Sequence, residues 1–183
     1  MGEIILVTGG VRSGKSTHAR KLAESIQGTH VFLATCPVLD QEMAERIARH
    51  QDERKGCGWD TVEAPYALAD VIRSQCCDVL LIDCLTLWVN NLMYKIEKEG
   101  GGLLDEDAFA PHVADLADAL TQFSGTVVLV TNEVGLGIVP ENELARRYRD
   151  LVGRCNQAVA AVADSVVLTV CGIPVTIKGM KRP

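Results

Sequence analysis

The chain has 183 residues, 48% hydrophobic and 23% charged, which is a globular composition rather than a disordered one. A chain of this length buries a core without disulfides or a structural metal. Lys and Arg number 18 against 24 Asp and Glu, a net charge of −6, and no long Lys/Arg cluster supplies the basic footprint of a nucleic-acid binder. Bulk charge argues against nucleic acid as a partner.

Residues 3–8 form an apolar, β-branched run, too short for the apolar segment of a leader, and predict the first strand. Behind it, Gly9-Gly10-Val11-Arg12-Ser13-Gly14-Lys15-Ser16 matches G-x-x-x-x-G-K-[ST] and leads into a predicted helix over 16–26. A strand before and a helix after are the context that a P-loop requires. Gly9, Gly10 and Gly14 permit backbone conformations and close approaches that side chains block. The successive N–H groups of this turn and the helix N-terminus surround phosphate oxygens. Lys15 reaches the terminal phosphates, and Ser16 offers its hydroxyl to Mg2+. This is a nucleoside triphosphate site.

A second strand is predicted over 30–35. The following helix, over 41–54, places Met43, Ile47, His50 and Arg54 on one face. Arg46 precedes His50 by four residues and Arg54 follows it by four, so the imidazole sits in a basic neighbourhood. Two neighbouring guanidinium groups favour neutral imidazole, the nucleophilic form, and also neutralise a triphosphate under attack. The residues alone leave an ordinary surface or half-buried histidine open. His18, His30 and His112 have no such surroundings and read as structural or surface residues.

Strand 59–63, helix 66–76 and strand 79–83 come next. The last ends in Asp83, and an acid at the end of an apolar strand is the second half of a P-loop metal site. A helix over 85–97, a solvated loop over 97–102 and a helix over 106–123 follow. The chain continues with strand 126–131, a long helix over 141–163, strand 165–170, a turn over 171–174 and a final strand over 175–178.

This alternation predicts an α/β fold of the P-loop NTPase type: a mostly parallel sheet flanked by helices, with a C-terminal antiparallel hairpin. No linker or repeat divides the chain, so residues 1–183 read as one domain. The seven cysteines form no C-x-x-C pair, and their odd number without a signal peptide predicts reduced thiols in a cytoplasmic protein. The apolar stretch 158–175 is broken by Asp164 and Pro174 and cannot span a membrane. The P-loop alone leaves kinase, ATPase, GTPase and nucleotidyltransferase open.

Four segments together narrow the choice. Ile5 to Ser16 resembles the opening of the bifunctional adenosylcobinamide kinase / adenosylcobinamide-phosphate guanylyltransferase family of cobalamin biosynthesis. Ala34-Thr35 with Glu42-Met43, Arg46-Ile47 and His50 resembles it next, followed by Trp59-Asp60-Thr61-Val62-Glu63. Residues 131–142 (TNEVGLGIVPEN), then Ala145-Arg146, Gly153-Arg154 and Asn156, complete the likeness. The segment 131–142 is far more specific than any P-loop. Gln51 and Lys55 stand where family members often carry Arg and Pro.

The resemblance implies two reactions on one corrinoid substrate. ATP or GTP first phosphorylates the aminopropanol hydroxyl of adenosylcobinamide. GTP then guanylylates His50 with loss of pyrophosphate, and GMP passes to the phosphorylated substrate, giving adenosylcobinamide-GDP. The nucleotide contacts that the resemblance implies are Gly9–Ser16, Ala34, Thr35, Cys36, Gln51, Asp52, Glu53, Arg54, Glu63 and Asp83, with Ser16 and Asp83 toward Mg2+. The stripe Leu144, Tyr148, Leu151, Cys155, Val159 and Val162 on the last helix reads as core packing, with a subunit interface as the other reading. A corrinoid is large for one small domain, so a homo-oligomer is expected. Rival readings are a single-activity P-loop kinase or guanylyltransferase, and a nucleotide-binding switch that would need no His50.

Overall fold

The computed structural model describes residues 2–36, 58–100 and 102–179. Strand β1 (Ile4–Gly9) is buried along its whole length, which explains why Ile4-Ile5-Leu6-Val7 is an unbroken apolar run instead of alternating. It feeds the P-loop and helix α1 (Lys15–Glu24). Strands β2 (His30–Ala34) and β3 (Trp59–Glu63), helix α2 (Leu68–Ser74) and strand β4 (Val79–Asp83) follow. Helices α3 (Leu85–Lys98) and α4 (Glu106–Gln122) precede β5 (Thr126–Val130). A single 3-10 turn, Val134–Leu136, leads to α5 (Glu143–Val162), and β6 (Ser165–Val170) and β7 (Ile173–Lys178) close the fold.

Two helix starts are set by side-chain caps. Asp105 accepts from Ala108 N at 2.9 Å to begin α4, and Asn142 accepts from Ala145 N at 3.0 Å to begin α5. Each satisfies one of the backbone donors that the first helical turn leaves without a partner.

The described strands form one sheet in the order β3-β2-β4-β5-β1-β6-β7. Strands β1 to β6 pair in parallel, and β7 alone runs against β6. The expected α/β architecture with a C-terminal hairpin is therefore present, with one difference. The connecting turn is only Cys171-Gly172, both with positive φ, and Ile173 and Pro174 already belong to β7. Pro174 pairs with Thr169 in register. A proline without an N–H is tolerated there because β7 is the edge strand.

Strand residues alternate between two cores. Ile4, Leu6, Leu80 and Ile82 pack under α2 to α5, against Leu85, Trp88, Leu116 and Leu151. Ile5, Val7, Leu81 and Val128 face α1 through Ala19 and Ala23, both fully buried. Alanines at those positions let α1 lie close on the sheet, directly behind the P-loop. Leu151, Cys155 and Val159 of the long-helix stripe are buried in the first core, while Leu144 is 44% exposed. The helix expected over 41–54 lies outside the described residues. Among the described residues no helix is long and apolar enough to cross a membrane, and Cys36, Cys76, Cys77, Cys84, Cys155 and Cys171 are free thiols.

The amino-terminal edge of the sheet is pinned by Asp78. Its carboxylate accepts from the Thr29 N–H at 2.8 Å and the Thr29 hydroxyl at 2.9 Å, joining the starts of β2 and β4. Gly125 passes close by, and a Cβ on it would stand 2.4 Å from Asp78 O and 2.8 Å from Cys77 O. Both neighbours are backbone and cannot swing aside. Gly125→Ala is expected to destabilise the protein by about 1–3 kcal/mol, the usual cost of overpacking, read as a lower urea midpoint with an unchanged slope.

Candidate active site

The turn between β1 and α1 has the conformation of a phosphate cradle. Gly14 caps α1 with φ 92°, and Arg12 also lies in the left-handed region at φ 59°. Gly9 is required on spatial grounds: a Cβ there would lie 2.5 Å from Thr169 O and 2.6 Å from Ser13 Oγ. Ser13 N donates to Gly10 O at 3.2 Å, tightening the loop. The hairpin turn braces it from outside, because Gly172 N donates to Ser13 O at 2.8 Å. Gly10, Val11 and Arg12 face solvent, while Ser13 is buried. The Lys15 ammonium reaches back to Gly10 O at 3.2 Å, lying across the mouth of the loop.

Parallel strands bring the other candidates to the same carboxyl edge as the P-loop. Asp83 ends β4, two strands from β1, and Glu63 ends β3, four strands away. With strands about 4.8 Å apart, Asp83 stands roughly 10 Å from β1 along the edge and Glu63 roughly 19 Å. That span is comparable to an extended nucleoside triphosphate. The edge is therefore laid out with a phosphate cradle at one end and an exposed carboxylate at the other. Ala34 and Thr35 lie between them at the end of β2.

Thr35 is fully buried, and its hydroxyl both accepts from Cys84 N and donates to Cys84 O, each at 2.8 Å. That side chain is committed to joining β2 with the end of β4. Cys36, next along, is half-buried. Burial, reinforced by the neighbouring Asp83, pushes the Cys84 thiol up to about 11, with the Thr86 hydrogen bond and the Lys15 charge pulling the other way. Cys84 is thus a neutral packing thiol. His50, Gln51, Asp52, Glu53 and Arg54 lie outside the described residues. His18 is partly buried, which lowers its pKa, and His30 is held against Ala23 O at 3.1 Å and the Trp59 ring. Both serve the fold.

A polar cluster at the end of β5 is not foreseen from the sequence, where segment 131–142 stands out only for its family likeness. Thr131 N donates to Val7 O and Glu133 N to Gly9 O at 3.2 Å, so the chain after β5 stays paired with β1 as far as the P-loop. Thr8 donates its hydroxyl to Glu133 Oε1 at 2.7 Å. Asn156 of α5 accepts from the Thr131 hydroxyl at 2.6 Å and donates to Asn132 O at 3.1 Å and to Glu133 Oε1 at 3.4 Å. The signal available in the sequence was Thr-Asn-Glu directly after an apolar strand, where a buried run gives way to three hydrogen-bonding side chains. Beyond the cluster, a cleft of about 540 Å³ opens between loop residues Gly135, Gly137 and Val139 and α5 residues Arg149, Gly153 and Gln157.

The family described as cobinamide kinase / cobinamide phosphate guanyltransferase matches residues 5–177. The chain belongs to that family. The bifunctional adenosylcobalamin biosynthesis protein CobU of Salmonella typhimurium is 44% identical, the match covering 96% of this chain and 99% of that one. CobU of Escherichia coli is 43% identical over the same shares, and CobP of Pseudomonas aeruginosa is 41% identical over 95% and 96%. Solved structures share the fold at far lower identity. A prototypical ATPase of a type III secretion system aligns with a TM-score of 0.54 at 14% identity, covering 96% of this chain and 57% of that one. A Pyrococcus horikoshii protein aligns with a TM-score of 0.58 at 9% identity, covering 98% and 88%. The fold of this chain is thus shared with an ATPase.

Two measurements test the site. Lys15→Ala is expected to weaken GTP affinity at least tenfold, about 1.4 kcal/mol, by calorimetric titration. The melting midpoint should stay put, because the bond from this side chain to Gly10 O is exposed. The second concerns pH. Burial pushes Cys155 up to about 12, as it does Cys84 to about 11, so both stay protonated in the fold while the unfolded chain loses those protons near 9. Above pH 9 the unfolded state therefore binds fewer protons, and stability must fall as pH rises. Urea midpoints measured from pH 8.5 to 10.5 should decline, and less steeply in Cys155→Ala.

Proposed function

We propose that this protein phosphorylates adenosylcobinamide with ATP or GTP and then transfers GMP from GTP to the product, giving adenosylcobinamide-GDP. The observation that carries the proposal is a formed P-loop at one end of a carboxyl edge long enough for a whole nucleotide, in a chain of this family. One domain holds both reactions, acting in the cytoplasm as a homo-oligomer.

In the first reaction Gly9, Gly10, Val11, Arg12, Ser13 and Gly14 hold the phosphates through backbone N–H groups, and Lys15 neutralises the charge that builds on the leaving diphosphate. Ser16, on the first turn of α1, and Asp83, at the end of β4, supply one hydroxyl and one carboxylate at this edge. All-oxygen donors in so small a number suit Mg2+, which keeps most of its waters and takes phosphate oxygens for the rest. When bound, Mg2+ neutralises phosphate charge. Ala34, Thr35, Cys36 and Glu63 form the edge along which the nucleotide lies, and Gln51, Asp52, Glu53 and Arg54 are its further contacts. Thr35 is fully buried, its hydroxyl committed to Cys84 and its carbonyl accepting from Asn91 at 2.7 Å, so its part is to hold Ala34 and Cys36 at the edge.

In the second reaction a neutral His50 nitrogen attacks the α-phosphorus of GTP. The N–P bond forms as the α–β bridging P–O bond breaks, and its electron pair leaves with pyrophosphate. A phosphate oxygen of the phosphorylated corrinoid then attacks the same phosphorus, and imidazole departs. Arg46 and Arg54 favour neutral imidazole before attack.

The test is incubation with α-labelled GTP and Mg2+. The protein should gain one GMP through an acid-labile, alkali-stable bond that maps to His50. His50→Asn should lose the adduct and guanylyl transfer while retaining phosphorylation of adenosylcobinamide. Label on another residue, or label persisting in the variant, would reject the nucleophile. Phosphorylation without any adduct in the wild type would identify a single-activity kinase.

A further inference from the structure

We infer that Glu133 is the general base of the phosphoryl-transfer reaction, accepting the proton of the acceptor alcohol, and that it takes no part in guanylyl transfer. The inference rests on the two-reaction reading above. It starts from the position of the carboxylate. Glu133 N is bonded to Gly9 O at 3.2 Å, so this residue stands directly beside the first peptide of the phosphate cradle.

The orientation of the side chain is over-determined. Thr8 donates to Oε1 at 2.7 Å and Asn156 to the same oxygen at 3.4 Å, while Asn156 is itself fixed by Thr131 and Asn132. Both donors are neutral, so among the described residues the carboxylate is positioned without a hydrogen bond from a cation. Oε2 has no donor among the described residues. A half-buried carboxylate with one oxygen anchored and the other available is equipped to take a proton.

Access is open on the side of the P-loop and of the acceptor. Gly10 has no atom within 4 Å of where a Cβ would be, and Val11 is 84% exposed. The cleft of about 540 Å³ is lined by Gly135 and Gly137, two and four residues further along the chain from Glu133, and by Arg149, Gly153 and Gln157 of α5, the helix that also carries Asn156. A large alcohol extending from that cleft toward the P-loop would pass Glu133, which is bonded to Gly9. The step balances as follows. The alcohol proton passes to Glu133 Oε2 while the alcohol oxygen forms a bond to the γ-phosphorus. The β–γ bridging P–O bond breaks, its electrons leave with the nucleoside diphosphate, and the carboxylic acid returns the proton to solvent. Guanylyl transfer has no such proton to remove, because its acceptor is an ionised phosphate.

Glu133→Gln keeps an oxygen to accept from Thr8 and Asn156 and loses only basicity. It is expected to lower kcat for phosphorylation of adenosylcobinamide at least a hundredfold, within the 10²–10⁴ range for a general base, with the KM for nucleotide unchanged within threefold. GMP labelling by α-labelled GTP and transfer to pre-phosphorylated substrate should stay within threefold of wild type. Glu133→Asp retains the charge at shorter reach and should phosphorylate faster than the Gln variant. The inference is overturned if Gln keeps kinase turnover within threefold. It is overturned equally if Gln loses both activities together, which would make Glu133 a support of the P-loop, or if Asp is no faster than Gln. Absence of alcohol phosphorylation in the wild type would instead sink the two-reaction reading itself.

Discussion

Six strands run in one direction, and that shared direction is the constraint from which the candidate site follows. Each parallel strand delivers its last residue to the same edge, so Gly9, Ala34, Glu63 and Asp83 meet there although up to 74 positions separate them in the chain. Reversing any one of these strands would carry its terminal residue to the opposite edge, where Asp78 and Thr29 form a purely structural clamp. The hydrogen-bond ladder does this positioning at no cost to the site. At this edge Thr35 is a strut between β2 and β4, and Thr8, Glu133 and Asn156 tie β1 to the end of β5 and to α5.

The P-loop depends on a second constraint, which is contact rather than direction. Its backbone is gripped from inside by the packing of Thr169 O and Ser13 around Gly9, and from outside by Gly172 of the terminal turn. The antiparallel hairpin that departs from the parallel pattern therefore has a place in the site. It puts a tight turn over the cradle, where a parallel crossover would have required a helix. Cradle and hairpin act as one unit, with α1 set close behind by two buried alanines.

Much of the architecture was legible because the chain repeats one local statement. Apolar β-branched runs of five or six residues alternate with amphipathic segments, and burial on both faces leaves the central strands polar only toward their ends, at Thr8, Asp83 and Thr126. Where burial is partial the boundaries were harder to place. The edge strand β7 begins at Ile173 and includes a proline, because an edge strand does not need that N–H for a neighbour. The stripe on α5 likewise reads as one face, yet only Leu151, Cys155 and Val159 are buried within it. The first turn of α5 extends past the sheet it packs on, and Leu144 faces solvent.

The sequence by itself determined the phosphate cradle, the strand-end acid and the family, because each is carried by residues adjacent in the chain: a glycine spacing, an apolar run closed by Asp83, the TNEVG segment. Local chemistry is readable locally. Only the tertiary structure decided which polar side chains share a neighbourhood. Thr8, Glu133 and Asn156 are separated by 125 and 23 positions, and no periodicity relates a β1 threonine to an α5 amide. They meet because parallel pairing sets β5 beside β1 and packing lays α5 across both, and such coincidences belong to the sheet order rather than to any segment. Thr35 shows the converse. Its place beside the nucleotide edge was visible in the chain, but the burial that commits its hydroxyl to Cys84 is a property of two strands meeting.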